Sequence, residues 1–279
     1  MDLETITRYR LARSRDDLRL ADGEAFVAGA TWMFSEPQPE VTGLVDLTAM
    51  GWPAIEASDA GLRIGATCTI AALADWRAPA EWTAVPLFRQ CADALLASFK
   101  VWNQATVGGN VCRSFAAGAM VSLAVALDGV AVVWTPDGGE RRLPVAEFVT
   151  GNGTNVLESG EVLRAVDLPV HALRARTAFR KVALAELGRS GAVVTGRVDE
   201  DDAAVFGITA ATLRPVVLRY AALPSAEELA ADVAAASGWY SDPLGSADWR
   251  QAVAGVLAEE VRVELRGAAA PGGPGVAVA

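Results

Sequence analysis

Between Ala116 and Leu127 the chain offers water almost nothing, because only Gly118 and Ser122 interrupt a run of apolar residues. The run is too short for the ~20 residues that a bilayer-spanning helix needs. A helix that is apolar on every side must instead be enclosed by other elements, so the fold has to wrap around this segment. The rest of the chain can do the wrapping. Hydrophobic residues make up 52% of its 279 positions and charged residues 21%, a balance that supports a sizeable core shared among two or three small domains.

Around that helix the pattern is mixed. Asp16 to Leu20 predicts a short helical turn, and Ala25 to Ala28 a strand that stops at Gly29. Leu44–Leu47 and Leu62–Ala66 read as further short strands, with a change of character near residue 57. Thr69 caps a helix reaching Ala74, and apolar spacing from Leu87 to Ser98 predicts another. Phe99 to Gly118 reads as a glycine-rich loop. Val130–Trp134 turns through Pro136-Asp137-Gly138-Gly139 into Arg141–Leu143, a hairpin signal, and Leu163–Leu168 is a strand closed by Pro169. Phe179–Leu184, Ala192–Val198 and Ala204–Leu213 are three successive strand candidates. Ser225 and Glu228 have the spacing of a capping box that opens a helix to Ala236, and a second helix runs from Ala247 through Glu260.

The fold class read from this pattern is α+β. Residues 1–56 and 57–168 form the two parts of one domain, and residues 169–267 a small C-terminal α+β domain with a three-stranded antiparallel sheet. Residues 268–279, uncharged and without period, read as a disordered tail.

Charge and residue counts exclude several kinds of chemistry. A net charge of −10 gives a polyphosphate nothing to condense on, so no nucleic-acid role is expected. The start, Met1-Asp2-Leu3-Glu4, is acidic where a secretory signal is basic, and a cytoplasmic protein without a membrane span is expected. Cys68, Cys91 and Cys112 are too scattered for a zinc or iron–sulfur pattern and read as small packed hydrophobes. His171 is the only histidine, which removes Ser-His-Asp triads and paired-His metal sites. No catalytic side chain and no metal ligand is expected here, so chemistry must come from a bound cofactor.

Two side-chain-poor segments stand out: Ala28-Gly29-Ala30-Thr31-Trp32 and Ala105-Thr106-Val107-Gly108-Gly109-Asn110. Small residues let main-chain N–H groups face an anion with no Cβ in the way. Each is therefore a candidate half of a diphosphate cradle. Neither matches the Rossmann fingerprint, and neither holds the lysine of a P-loop. Taken singly, each is also what an ordinary tight turn looks like.

Together, and followed by Gly151-Asn152-Gly153-Thr154 and Glu161-Val162-Leu163, they make the sequence resemble the medium, FAD-binding subunits of molybdenum hydroxylases, the xanthine dehydrogenase and carbon monoxide dehydrogenase family. The flavin domain of that family has the PCMH-type, or vanillyl-alcohol-oxidase-type, fold. The resemblance spans nearly the whole chain and includes Gly245-Ser246-Ala247-Asp248-Trp249-Arg250 near the end. It implies that Ala28, Gly29, Ala30, Thr31, Trp32, Ala105, Thr106, Gly108, Gly109 and Asn110 wrap FAD, with Phe99, Leu163, Arg180 and Lys181 at further family positions. It also implies an oxidoreductase subunit that does not oxidise an organic substrate alone. In that arrangement the molybdenum cofactor sits on a large molybdopterin-binding partner and [2Fe-2S] clusters on a small partner.

The sequence departs from the family where many relatives carry an acidic residue that contacts the adenosine. Phe115-Ala116-Ala117-Gly118 stands there, so Gly118 replaces the acid and Ser114 is the nearby group that could compensate. Two other readings stay open: a stand-alone flavin oxidase of the same fold, and an interaction subunit that has lost flavin.

Overall fold

The computed structural model describes residues 3–267; the expected tail at 268–279 lies outside them. The described part is α+β. A parallel three-stranded sheet comes first, in the order Arg8–Leu11, Gly43–Asp46, Glu24–Val27. Next is an antiparallel five-stranded sheet in the order Ile55–Ser58, Gly61–Gly65, Val162–Pro169, Val130–Trp134, Glu140–Pro144. The strand Ile55–Ser58, which sequence pattern missed, pairs antiparallel with Gly61–Gly65. A four-stranded antiparallel sheet follows, in the order Arg176–Ala183, Ser190–Val198, Ala204–Thr209, Val216–Tyr220.

That last sheet has four strands where the sequence pattern predicted three. The additional strand, Val216–Tyr220, is a half-exposed edge; its short run of apolar residues gains strand identity only by pairing with Ala204–Ile208. The helices Ala226–Ala235 and Ala247–Gly267 pack on this sheet around Val194, Phe206, Leu229 and Val261. Ser225 caps the first of them, its Oγ accepting from the Glu228 N–H at 3.1 Å. Arg250, in the second, is fully buried and donates to the carbonyls of Gly191 and Ala210 and to Asp242, so the Gly245–Arg250 element is a structural knot.

The apolar helix Ala119–Ala126 is buried at all eight positions. Its neighbours explain why. It packs on the helices Pro86–Asp93, Val107–Arg113 and Val145–Phe148, and it also touches the strands Ser190–Val198 and Ala204–Thr209 of the C-terminal sheet. Its single hydroxyl, on Ser122, shares a 2.6 Å hydrogen bond with Thr209 of that sheet. Arg197, also buried, crosses the same boundary: it donates to the Ala126 carbonyl and pairs with Asp128 and Asp199.

The segment 99–118 is not the loop expected. Phe99–Trp102 and Val107–Arg113 are helical. The glycine pair hid the second helix because glycine disfavours helix in isolation. Here Thr106 caps it, its Oγ1 accepting from the Gly109 N–H at 3.0 Å, and Gly108 lets it lie directly on Ala66, whose Cβ would stand 2.5 Å from a Cβ at position 108. The predicted Leu87–Ser98 helix ends earlier, at Asp93. Among the described residues no helix is long and apolar enough to cross a membrane.

Candidate functional site

A cleft of about 610 Å3 opens where the end of the strand Glu24–Val27 meets the helix Val107–Arg113. Its size lies in the range of small-molecule and cofactor sites. Of the residues singled out in sequence, Ala28, Gly29, Ala30, Thr31, Trp32, Ala105, Thr106, Gly109 and Asn110 all line it. Two turns about 75 residues apart are thus brought to one wall. A smaller hollow of about 180 Å3, beside Arg15 and Trp134, is lined by none of these residues.

The two turns contribute different things. In the first, the carbonyls of Ala30, Thr31 and Trp32 accept from Phe34 N, Ser35 Oγ and Ser35 N. No main-chain carbonyl among the described residues accepts from the N–H groups of Gly29 through Met33. Ala30 takes a left-handed φ of 51°, which costs a non-glycine residue of the order of 1 kcal/mol. A run of unpaired donors beside a cleft is an arrangement suited to an anion.

The second turn was expected to present amides too, and from Val107 to Asn110 it does not. Val107 N–H donates to Cys68 O, Gly108 N–H to Ala66 O, Gly109 N–H to Thr106 Oγ1 and Asn110 N–H to Thr106 O, at 2.8 to 3.0 Å. Its contribution is space. A Cβ on Gly109 would meet only Thr106 Oγ1, at 2.9 Å, and would otherwise stand in the open cleft. Gly29, expected to admit a ligand, serves the contact between the turns instead: a Cβ there would lie 1.8 Å from the Gln104 carbonyl oxygen. Asn110 fixes the rim, its Oδ1 accepting from Met120 N at 2.8 Å and so tying the short helix to the start of the buried one.

Several lining residues escaped the sequence reading. Leu95 and Leu96, past the early end of their helix, supply an apolar wall, and Leu96 remains 61% exposed. Arg113 lies with its guanidinium carbon 4.9 Å from the Trp32 ring centre and 4.8 Å from that of Phe115; the two rings meet edge to face at 4.7 Å. No local signal marks Arg113, because an arginine at a helix end reads as a solvated charge. Cys112 also lines the cleft, and burial pushes its thiol up to about 12, with Arg113 acting weakly in the other direction, so it is a packed and unreactive cysteine.

A cleft lined by free amides, a bare glycine and one guanidinium suits an anionic ligand. Residues 13–171 match the family model for the FAD binding domain in molybdopterin dehydrogenase. The chain belongs to that family. FAD is therefore its cofactor, and the free amides of Gly29–Met33, opposite the bare Gly109, fit a diphosphate. Among solved structures, a chain of reconstituted CO dehydrogenase from Oligotropha carboxidovorans is 22% identical with a TM-score of 0.83, covering 97% of this chain and 100% of that one. Quinoline 2-oxidoreductase from Pseudomonas putida 86 matches at 20% identity and a TM-score of 0.80, over 96% and 99%. A CO dehydrogenase from Hydrogenophaga pseudoflava that lacks the Mo-pyranopterin moiety matches at 20% and 0.79, over 94% and 98%. These likenesses show a shared fold. No curated protein sequence matches.

The remaining family positions of this flavoprotein do not line the cleft. Phe99 is 72% exposed on its own short helix, and Leu163 is buried in the five-stranded sheet. Arg180 pairs with Glu260 at 3.1 Å and Glu264 at 2.7 Å on the last helix, and Lys181 is half-buried beside it on the strand. Gly108 packs on Ala66. The Ser114 hydroxyl donates to Val111 O at 2.8 Å, capping its own helix. Gly118 caps the buried helix, and a Cβ there would press on Phe115 O at 3.0 Å and on Val121.

Proposed function

We propose that this chain is the FAD-carrying, electron-transfer subunit of a heteromeric molybdenum hydroxylase. The observation that carries the proposal is the cleft itself, lined by unpaired amides at Gly29–Met33 and by the bare Gly109 in a chain of the FAD-binding family. In this reading the turn 29–33 and Arg113 hold the negative end of FAD, Gly109 leaves it room, and Leu95, Leu96 and Val101 exclude water from an apolar flank. FAD supplies reversible electron exchange when bound there.

The partners in this proposal are a large molybdopterin-binding subunit and a small subunit with [2Fe-2S] clusters, from which electrons pass to this chain and on to an external acceptor. Among the described residues no group of three His, Cys, Asp or Glu side chains could hold a metal ion, which is why the reading assigns the metals to other chains. The CO dehydrogenases and the quinoline oxidoreductase that share the fold support an oxidoreductase of this kind. The domain division at residues 56 and 168 is part of the same proposal.

Two measurements test it. The native protein should co-purify with two further polypeptides, one containing molybdenum and the other iron and sulfide, and should show flavin absorption bands. Gly109→Val should remove the flavin bands and leave the circular dichroism of the chain unchanged. Isolation as a lone polypeptide active on an organic substrate would overturn the subunit reading, and stoichiometric FAD in Gly109→Val would overturn the cleft assignment.

A further inference from the structure

We infer that Arg113 is the cationic partner of the FAD diphosphate in this chain, held ready by the rings of Trp32 and Phe115. The inference deepens the proposed function and rests on FAD binding in this cleft.

The first reason is electrostatic. The protein carries a net charge of −10, yet among the described residues no Asp or Glu lines the cleft, and Arg113 is the one charged residue that does. A cleft in an acidic protein that excludes carboxylates and holds a single guanidinium is selective for an anion.

The second is that the guanidinium has no partner within the described protein. Five other arginines are paired: Arg10 with Glu24, Arg63 with Asp167, Arg141 with Glu161, Arg197 with Asp128, Arg250 with Asp242. Arg113 makes no ion pair among the described residues, and its Nε is buried without a hydrogen-bond partner. Burying such a donor is unfavourable unless something accepts from it. Desolvation accordingly pushes the guanidinium below the ordinary arginine value, which an anion in the cleft would reverse. Arg164 and Arg15 also have a buried, unpartnered nitrogen, but Arg164 lies over Trp52 and Trp134, Arg15 lies over Trp134, and neither lines the cleft.

The third is position. Trp32 belongs to the turn whose amides are free, so the guanidinium against its ring packs on the same turn as those donors and lines the same cleft. The diphosphate is the permanently anionic part of FAD. The backbone around Arg113 is also fixed. Asn155 Nδ2 donates to Cys112 O at 2.7 Å, Gly153 N–H to Ser114 O at 2.8 Å, and Ala116 N–H to Asn152 Oδ1 at 3.0 Å. These bonds give the Gly151–Thr154 segment a role, which is to fix the stretch that carries the arginine. A planar guanidinium stacked on aromatic rings is preorganised for phosphate oxygens in a way that lysine is not.

The test is titration of the full-length, flavin-stripped protein with FAD, ADP and riboflavin, followed by flavin fluorescence and calorimetry, for the wild type, Arg113→Met and Arg113→Lys. Loss of a charge-assisted contact predicts FAD and ADP each bound tenfold or more weakly by Arg113→Met. Riboflavin, which has no phosphate, should bind equally to all three. Arg113→Lys should recover part of the loss, and FAD affinity should depend less on salt in Arg113→Met than in the wild type. FAD binding by Arg113→Met within twofold of wild type, or an equal loss of riboflavin and FAD, overturns the inference and leaves the cofactor assignment standing. Should Arg113→Met fail to fold, the salt dependence of wild-type FAD binding together with Arg113→Lys decides: no salt dependence and wild-type affinity in the lysine variant would overturn it. Failure of wild-type protein to bind FAD or ADP would bring down the proposed function and this inference together.

Discussion

Adding one methyl group at Gly29 should separate the two halves of the cleft. The new Cβ would stand 1.8 Å from the Gln104 carbonyl oxygen and 2.7 Å from the carbonyl carbon, whereas real Cβ contacts do not fall below 3.0 Å. The turns must therefore part by the difference between 1.8 and 3.0 Å, about 1.2 Å, because backbone and not a flexible side chain stands in the way. Overpacking of this kind costs ~1–3 kcal/mol. In a chain of this size ~2 kcal/mol lowers the melting temperature by roughly 4–8 °C. Moving the amides of Gly29–Met33 by a similar distance would stretch ligand hydrogen bonds of ~2.9 Å past the ~3.2 Å limit of useful contacts, so FAD affinity should fall ~tenfold or more. Gly109→Ala is the contrast. Its methyl meets only Thr106 Oγ1 at 2.9 Å, and alanine is favoured over glycine in a helix by ~0.5–1 kcal/mol. The flavin-free Gly109→Ala protein should melt at or slightly above the wild-type temperature and still bind FAD poorly. Thermal unfolding of the flavin-free proteins and fluorescence titration with FAD measure both effects. A Gly29→Ala protein that melts like wild type, or a Gly109→Ala protein destabilised as much as Gly29→Ala, would refute the division of labour between the two turns.

Three further outcomes follow from the same structure. Arg197→Met removes a buried guanidinium from Asp128, Asp199 and the Ala126 carbonyl and should destabilise by ~3–5 kcal/mol, read as a shift of the urea midpoint at pH 7; an unchanged midpoint would show that this cluster does not tie the helix Ala119–Ala126 to the C-terminal sheet. Glu24 is held at about 2, first by its bonds from Arg10 and then by the Ala21 N–H, against an unfolded value of ~4.3. Its folded pKa is depressed, so its contribution is complete above pH ~4.3 and is lost as the pH falls toward 2. Arg10→Met should flatten the fall in melting temperature between pH 5 and 2.5, and an identical slope in the two proteins would count against the pair. Cys112, with its thiol pushed up to about 12, should react with iodoacetamide at pH 8 far more slowly in the folded protein than in urea; equal rates, followed by mass spectrometry, would mean that the thiol is not protected.

Much of this molecule was legible because it is written locally. The enclosure of Ala119–Ala126 follows from its having no polar face, and the structure finds all eight residues buried. Thr69 and Ser225 cap helices as their sequence neighbours imply, since a cap needs only the residues that follow it. The α+β class was readable from the same short patterns, and the meeting of the turns at 28–32 and 105–110 in one cleft was implied by the family resemblance that their motifs carry.

What was not legible depends on residues distant in the chain. Val107–Arg113 became a helix against the preference of its glycines because Ala66 offers a surface only glycine can approach, and Val216–Tyr220 became a strand because Ala204–Thr209 offers it a ladder. Arg113 has the sequence of a surface charge; its meaning comes from Trp32, Phe115 and the absence of carboxylates around the cleft among the described residues. Periodicity and capping act over a few residues and so belong to the sequence itself, whereas desolvation and pairing of a charge are set by whatever the folded chain places next to it, and only the tertiary structure decides that.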